Sequence, residues 1–242
     1  HLRSVELQEE IKLKEGLIAE LNAFARTVAH DLKSPLTVVV GYAELTMMNC
    51  CDDLEDDTMQ FMQEIFSMAS KMGRIIDELL TLSSIRQQDV TLHPVNMWGV
   101  IKEAEYRLRR QIELSGATIT LPDEWPTTMG YMPWLEEVWV NYLSNAIKYG
   151  GDPPRIELGS DLLDDGWVRF WICDNGDGIS PDQQAGLFAE FERLDQVQVK
   201  GHGLGLSIVR RIVEKLGGSV AVESSGQPGE GSVFSFTLRA AD

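Results

Sequence analysis

The sequence predicts an all-α antiparallel helical hairpin, which forms a four-helix bundle as a dimer, followed by an α/β two-layer sandwich whose mixed sheet is covered by helices on one face. Two observations predict the hairpin: two apolar seams at coiled-coil spacing, and a polar, acidic stretch at residues 49–57 that separates them. A third predicts the sandwich, because after residue 94 helical segments are interspersed with short stretches of alternating polarity.

Each seam places apolar residues at alternating intervals of four and three residues. The first is interrupted only at Lys14 and comprises Leu7, Ile11, Ile18, Leu21, Ala25, Val28 and Leu32. The second comprises Phe61, Ile65, Met68, Met72, Ile75, Leu79 and Leu82. One hairpin cannot cover both of its apolar sides, whereas two hairpins in a four-helix bundle can, so we expect a homodimer.

The polar stretch from Gln87 to Pro94 predicts a domain boundary. Beyond it, the pattern predicts helices at residues 98–112, 132–149 and 204–216. Strands are predicted at residues 118–121, 155–158, 167–173, 219–223 and 232–238, with a glycine-rich turn at 226–231 before the last one.

Composition excludes several classes of protein. The 242 residues carry a formal net charge of −17, which argues against a nucleic-acid partner because phosphates would be repelled. Three cysteines, two of them adjacent, give no disulfide framework, so we expect a reducing compartment and a cytoplasmic protein. No apolar run approaches the roughly 20 residues needed to cross a bilayer, so we expect no direct membrane contact in this chain.

The stretch His30-Asp31-Leu-Lys-Ser34-Pro35 carries the first candidate chemistry. A neutral imidazole is a good nucleophile, and an adjacent carboxylate can orient it and stabilise its cation. Ser34 lies one helical turn beyond His30 on the same face. These residues alone leave open that His30 is a surface histidine in an ordinary helix.

Two further motifs lie beyond the boundary. Asn141, Asn145 and Lys148 share one face of a predicted helix that ends at Tyr149, where amide oxygens can bind magnesium and an ammonium can bind phosphate, although the face could also simply be solvated. The Asp174-Asn-Gly176-Asp-Gly178 motif follows an apolar strand. Its carboxylate can accept a hydrogen bond from an adenine amino group and its glycines allow close approach of a ligand, but the same residues also suit a tight turn.

The last motif, Gly201-His-Gly203-Leu204-Gly205, opens the helix predicted from residue 204. Backbone N–H groups at such a helix N terminus can bind phosphate, and the spacing is not that of a dinucleotide-binding fingerprint. The long segment before it contains Phe188, Phe191 and Arg193 and predicts a mobile lid.

Together and in this order, the motifs resemble the phospho-acceptor box and the nucleotide-binding boxes of sensor histidine kinases of two-component systems, from about residue 21 to residue 238. The resemblance implies a coiled-coil signalling helix at residues 1–22 and a dimerisation and phospho-acceptor hairpin at residues 23–90. It implies an ATP-binding catalytic domain at residues 95–242, of the type shared with gyrase, Hsp90 and MutL.

The resemblance also assigns roles. Asp174 would hold adenine, Asn145 and Asn141 would hold Mg²⁺, and His30 would accept the phosphoryl group with assistance from Asp31. Nucleotide contacts are implied at Lys148, Tyr149, Gly176, Gly178, Arg193, Gly201, Gly203, Leu204 and Gly205. Three residues depart from the family pattern: His202 replaces Thr or Ser, Tyr131 replaces an acid, and Ser34 replaces Thr or Asn. The last change leads us to expect weak phosphatase activity.

We therefore expect ATP-dependent autophosphorylation on His30, followed by phosphotransfer to an aspartate in the receiver domain of a response regulator. A conformational ATPase is one alternative, but such relatives have Glu at the position of Asn141, and an amide cannot be a general base. A catalytically silent dimeric scaffold is the other. The first seam runs to the N-terminal end of the sequence, a layout that resembles kinases with an upstream sensor domain, and the resemblance implies such a domain here.

Overall fold

The computed structural model describes residues 28–29, 32–48, 56–184, 186–188 and 205–241. The chain divides into two compact units, His1–Gln88 and Asp89–Asp242. The described part of the first unit is helical, whereas the second unit combines helices with a β-sheet. Among the described residues, no helix has the length and apolar content needed to cross a membrane.

The first unit is an antiparallel helical hairpin of α1, residues 32–48, and α2, Asp56–Gln87. Lys33, near the start of α1, forms an ion pair of 2.5 Å with Asp77 in the second half of α2. Leu36 lies further along α1 and packs against Gly73, which lies earlier on α2. Because these contacts run in opposite directions along the two helices, the predicted antiparallel hairpin is confirmed.

Each hairpin helix also exposes apolar side chains. Ala43 on α1 and both Ala69 and Ile76 on α2 are buried between neighbouring residues. Four side chains of the second predicted seam, Phe61, Ile65, Met68 and Met72, are instead 46–63% exposed, whereas Leu82 of the same seam is buried. α1 exposes Val38, Val39, Tyr42 and Leu45. Of the first predicted seam, only Val28 and Leu32 belong to the described residues, and both are exposed.

The second unit is built on a five-stranded sheet of β2 Thr118–Thr120, β4 Arg155–Leu162, β5 Trp167–Cys173, β6 Val220–Glu223 and β7 Val233–Arg239. The strand order across the sheet is β2-β4-β5-β7-β6. β2 and β4 are parallel and the other pairs are antiparallel, so the predicted mixed sheet is confirmed. The other elements in the described part of this unit are β1 His93–Asn96, α3 Met97–Ser115, β3 Thr127–Gly130, α4 Met132–Tyr149, α5 Pro181–Gln184 and α6 Gly205–Lys215.

Helices cover one face of this sheet, as predicted. Along β5 the residues alternate, with Val168, Phe170 and Ile172 buried and the intervening side chains partly exposed. The ring of Trp139 on α4 lies edge-on to Phe236 of β7 at 5.5 Å, and Phe236 stacks on Phe170 at 5.3 Å. Burial of each such side chain stabilises the fold by about 1.5–3 kcal/mol, so this aromatic layer fixes α4 against the centre of the sheet.

Local signals set the ends of the helices beside the sheet. The Asn96 side chain accepts a hydrogen bond of 3.0 Å from the N–H of Trp98 and so caps α3. α3 ends at Gly116, whose φ of 64° lies in the left-handed region that glycine adopts without strain. Pro133 lies in the first turn of α4, where its missing N–H costs no helical hydrogen bond.

The sequence pattern does not predict β1 or β3. These two strands have four residues each and pair with one another antiparallel, with His93 opposite Gly130. Pro94 is accommodated because β1 is an edge strand, where a missing N–H donor is tolerated. β4 also extends beyond the predicted residues 155–158, to Leu162, which is paired with Val168 of β5.

Candidate active site

Several chain segments meet at one edge of the sheet. β5 ends at Cys173, whose partner on β7 is Val233, and Val233 is also paired with Glu223, the last residue of β6. α4 ends against the same edge, because a Cβ atom on Gly176 would overlap the backbone oxygen of Tyr149. The fold therefore brings the Asp174 motif next to the helix that carries Asn141.

Asp174 follows β5 directly and is held from two sides. Its side-chain Oδ1 accepts a hydrogen bond of 2.9 Å from the N–H of Gly176, and its own N–H donates to the oxygen of Ser232 at 3.1 Å. Burial raises the pKa of Asp174, while hydrogen bonds from the backbone of Gly176 and Ser232 oppose the rise. The carboxyl group is thus an oriented and partly desolvated hydrogen-bond acceptor.

Asn141 connects α4 with the start of α6. Its Nδ2 donates a hydrogen bond of 2.8 Å to the backbone oxygen of Glu137, and this bond fixes the direction in which Oδ1 points. That oxygen lies against Gly205, where an added Cβ atom would overlap it. Asn145 is partly buried one turn later on the same helix face, and Lys148 is exposed beyond it.

The candidate metal ligands are amide oxygens. Among the described residues, no group of three or more His, Cys, Asp or Glu side chains could hold a metal ion. Asn141 and Asn145 offer the neutral oxygen ligands that a hard cation such as Mg²⁺ accepts when phosphate oxygens supply the negative charge.

The loop between β6 and β7 packs directly on the Asp174 turn. The N–H groups of Gly229 and Gly231 both donate to the oxygen of Gly176 at 2.9 Å. Gly231 has a φ of 67°, and a Cβ atom there would overlap the oxygen of Asp174. Sequence analysis identified this loop only as a turn, although Gly229-Glu-Gly231-Ser232 before a strand was a readable signal of close backbone approach.

Ser224 anchors the same loop, and sequence analysis missed it. Its Oγ donates to the oxygen of Gly231 at 2.7 Å and accepts from the N–H of Ile179 at 2.9 Å. Gln184 on α5 donates through Nε2 to the oxygens of Ile179 and Ser224 at 2.7 and 2.9 Å. Gly178, with a φ of 74°, lies within this network, since an added Cβ atom would be 3.0 Å from Ser224 Oγ.

The other residues that the sequence indicated lie in different surroundings, and some of them lie outside the described residues. Tyr149 is 43% exposed, and burial of the rest of its side chain raises its pKa. Tyr131, where the resemblance predicts an acid, precedes α4 without a side-chain cap and packs edge-on against Trp134 at 5.4 Å. Ser34 is exposed on α1. Outside the described residues lie His30, Asp31, Phe191, Arg193, Gly201, His202, Gly203 and Leu204.

The arrangement suits a particular kind of ligand. It combines an oriented carboxylate acceptor, amide oxygens on a rigid helix and backbone lined by glycines. A ligand that carries an N–H donor at one end and metal-bound oxyanions at the other would use all three features.

Two family models match the chain. The model described as "Histidine kinase-, DNA gyrase B-, and HSP90-like ATPase" matches residues 130–242, and the "His Kinase A (phospho-acceptor) domain" model matches residues 20–88. The chain belongs to the sensor histidine kinase family. The sequence-based identification of a protein-histidine kinase with an ATP-binding domain is therefore confirmed at the level of the family.

Individual proteins are also similar to this chain in sequence or structure. The phytochrome-like protein Cph1 of Synechocystis sp. is 32% identical over 98% of this chain, which spans 34% of the length of Cph1. ShkA, solved at full length in complex with AMPPNP, is 25% identical with a TM-score of 0.71 over 90% of this chain and 46% of its own. The histidine kinase ThkA, solved in complex with the response regulator protein TrrA, shares the fold at 23% identity, with a TM-score of 0.64 over 98% of this chain and 66% of its own.

Proposed function

We propose that this chain is the kinase portion of a two-component sensor, which uses ATP to phosphorylate its own His30 and passes the phosphoryl group to an aspartate of a response regulator receiver domain. The observation that carries the proposal is the meeting of Asp174, Gly176 and Tyr149 beside the contact between Asn141 and Gly205. The ATPase-type family model over residues 130–242 and the AMPPNP complex of ShkA support ATP as the phosphoryl donor.

In this proposal Asp174 identifies the base. A carboxylate that already accepts one hydrogen bond from Gly176 retains acceptor capacity for the exocyclic amino group of adenine. Gly176 and Gly178 lack side chains where the backbone is crowded by Tyr149 and Ser224, and this leaves the wall of the pocket to backbone atoms. Tyr149 would flank the nucleotide from the end of α4.

The phosphates would lie toward the start of α6. Asn145 and Asn141 would hold Mg²⁺, which neutralises phosphate charge when it is bound. Lys148 lies on the same helix face and adds a positive charge. The remaining proposed nucleotide contacts are Arg193, Gly201, Gly203, Leu204 and Gly205.

The proposed transfer needs one nucleophile and one leaving group. Nε2 of His30 attacks the γ-phosphorus, the bond to the oxygen that bridges the β- and γ-phosphates breaks, and ADP leaves. Asp31 orients the imidazole and stabilises its cation. The phosphoryl group then moves to a carboxylate oxygen of the regulator, and His30 returns to its neutral form. Ser34 is proposed to support only weak phosphatase activity, because its hydroxyl reaches less far than an Asn amide.

The exposed seam of α2 supports a homodimer. A helix that exposes Phe61, Ile65, Met68 and Met72 at intervals of four and three has the surface of a bundle that lacks its second half. We propose that residues 23–90 dimerise, that residues 1–22 form the signalling helix before them, and that residues 95–242 bind ATP. A cytoplasmic location and an upstream sensor domain complete the proposal.

The conformational ATPase is disfavoured by Asn141. Its amide donates to Glu137 and presents an oxygen to Gly205, and neither end of an amide can remove a proton from water. A kinase does not need that base, because the nucleophile is already supplied as an imidazole.

The test is incubation of the protein with Mg²⁺ and γ-labelled ATP, followed by acid treatment, since phosphohistidine is acid-labile. His30→Gln should abolish the label but change the free energy of ADP binding by less than about 0.5 kcal/mol, because the substitution lies in the first unit and the residues of the pocket belong to the second. The matched control is His93→Gln, an exposed histidine on β1, which should be labelled normally. Label retained by His30→Gln would refute the acceptor, and an unlabelled wild-type protein would refute the kinase.

A further inference from the structure

Asn175 lies inside the Asp174 turn and has no role in the mechanism above. Its side chain makes three hydrogen bonds to the loop that follows α4. Oδ1 accepts from the N–H of Gly151 at 3.2 Å and from the N–H of Arg155 at 2.6 Å, and Nδ2 donates to the oxygen of Pro153 at 3.3 Å. The loop is pressed onto this amide, because a Cβ atom on Gly151 would lie 2.6 Å from Nδ2.

These three bonds require a side chain that both accepts and donates. A carboxylate of the same length could satisfy the two N–H groups but would face the oxygen of Pro153 without a proton to donate. A serine is too short to reach all three partners, and the inverted amide would place its NH₂ group against two N–H donors. The bonding pattern therefore selects asparagine in one orientation.

Asn175 also completes a clamp around Asp174. On one side, Gly229 and Gly231 hold the oxygen of Gly176, so that the turn is tied to the loop between β6 and β7. On the other side, Asn175 ties the same turn to the loop that leaves α4 at Gly150. The position of the Asp174 carboxylate relative to the end of α4 is thus set by bonds on both sides.

We propose that Asn175 is a positioning residue for base recognition: it holds the Asp174 carboxylate at the place where it meets the exocyclic amino group of adenine. The inference rests on the proposed function, because it presupposes that Asp174 reads the base. Asn175 touches neither the base nor the phosphates in this assignment. Its loss should therefore reduce the preference for adenine rather than weaken the binding of all nucleotides equally.

The experiment compares two nucleotides that differ only in that amino group: ADP and the diphosphate of unsubstituted purine riboside. Their dissociation constants are measured by calorimetry with Mg²⁺ on the full chain, and the ratio of the two constants cancels any general loss of affinity. Wild-type protein should prefer ADP by about tenfold or more, the scale of one hydrogen bond to a charged group. Asp174→Asn should abolish the preference.

Asn175→Ala removes all three bonds and should reduce the preference to about twofold or less. Asn175→Asp keeps the two acceptor bonds and loses the donor bond to Pro153, so it should give an intermediate ratio. Its added charge affects the binding of both nucleotides alike and cancels from the ratio. Asp177→Ala is the matched control, because Asp177 is an exposed side chain in the same turn, and its ratio should equal that of the wild type.

The outcomes separate the inference from the proposed function. A wild-type protein that binds ADP no better than the purine analogue would overturn the base-reading role of Asp174 and, with it, the inference. A wild-type preference that Asp174→Asn abolishes but Asn175→Ala retains would overturn the inference alone. If Asn175→Ala does not fold, Asn175→Asp decides: a reduced ratio supports the inference, and an unchanged ratio overturns it.

Discussion

Replacement of Asp174 by asparagine is the sharpest single test of the nucleotide site. The neutral amide has almost the same shape as the carboxyl group, and its oxygen can still accept the hydrogen bond of 2.9 Å from Gly176. With the amide oxygen turned toward Gly176, the NH₂ group takes the place of the second carboxylate oxygen. Adenine would then present a donor to a donor.

The magnitude follows from the bond that is lost. A hydrogen bond to a charged group contributes about 1.5–3 kcal/mol, so the dissociation constant of ADP should rise by about 10- to 150-fold. The substitution should not lower the stability of the folded protein. Because burial raises the pKa of Asp174, the stability this group contributes is fully present at pH values below the ordinary aspartate range and is lost as pH rises through the raised pKa. At neutral pH the charged form is the costly one, and the amide avoids that cost.

Calorimetric titration with ADP at several pH values measures the loss of affinity and its pH dependence, because protonation of the carboxyl group removes the same charged acceptor. As the pH falls through the raised pKa of Asp174, wild-type affinity should approach that of Asp174→Asn, and the ratio of the two affinities cancels the titration of the ADP phosphates. Asp177→Asn, an exposed change in the same turn, serves as the control. An Asp174→Asn variant that is folded and binds ADP as tightly as the wild type would refute the assignment.

Two further predictions concern packing. Gly231→Ala should destabilise the second unit by about 3 kcal/mol, because Gly231 has a φ of 67° and the added Cβ atom would overlap the oxygen of Asp174. Gly229→Ala is the control: Gly229 has a φ of 85° but open space around it, so the substitution should destabilise the unit by only about 1–2 kcal/mol. All six tryptophans lie in the second unit, so tryptophan fluorescence during urea unfolding measures this difference, and equal losses would contradict the overlap. Phe61→Glu should convert the proposed dimer into a monomer in light scattering at micromolar concentration, because it places a charge in the exposed seam. Gln63→Glu, an exposed polar position, should leave the dimer intact, and a monomeric wild-type protein would contradict the prediction.

The sequence predicts those parts of the fold whose signal is local or periodic. The seam of α2 and the alternation of Val168, Phe170 and Ile172 in β5 can be read directly, because one face of each element is apolar. β1 and β3 cannot be predicted in this way. Each has only four residues, β1 contains Pro94, and each is a strand only because the other pairs with it. A pairing between residues more than thirty positions apart leaves no periodic trace in either segment.

The same distinction applies within the site. Asp174 and Asn141 could be proposed as site residues from the sequence, because the chemistry of each residue is apparent from its type and its neighbours in a motif. Asn175 and Ser224 could not, because their roles consist of hydrogen bonds to loops 20 and 45 residues away. An asparagine in a turn is ordinarily explained by the turn itself, and only the fold shows that its amide faces the loop after α4. The residues proposed to carry the chemistry are thus readable from the sequence, whereas the residues that contact them from distant segments become visible only in the fold.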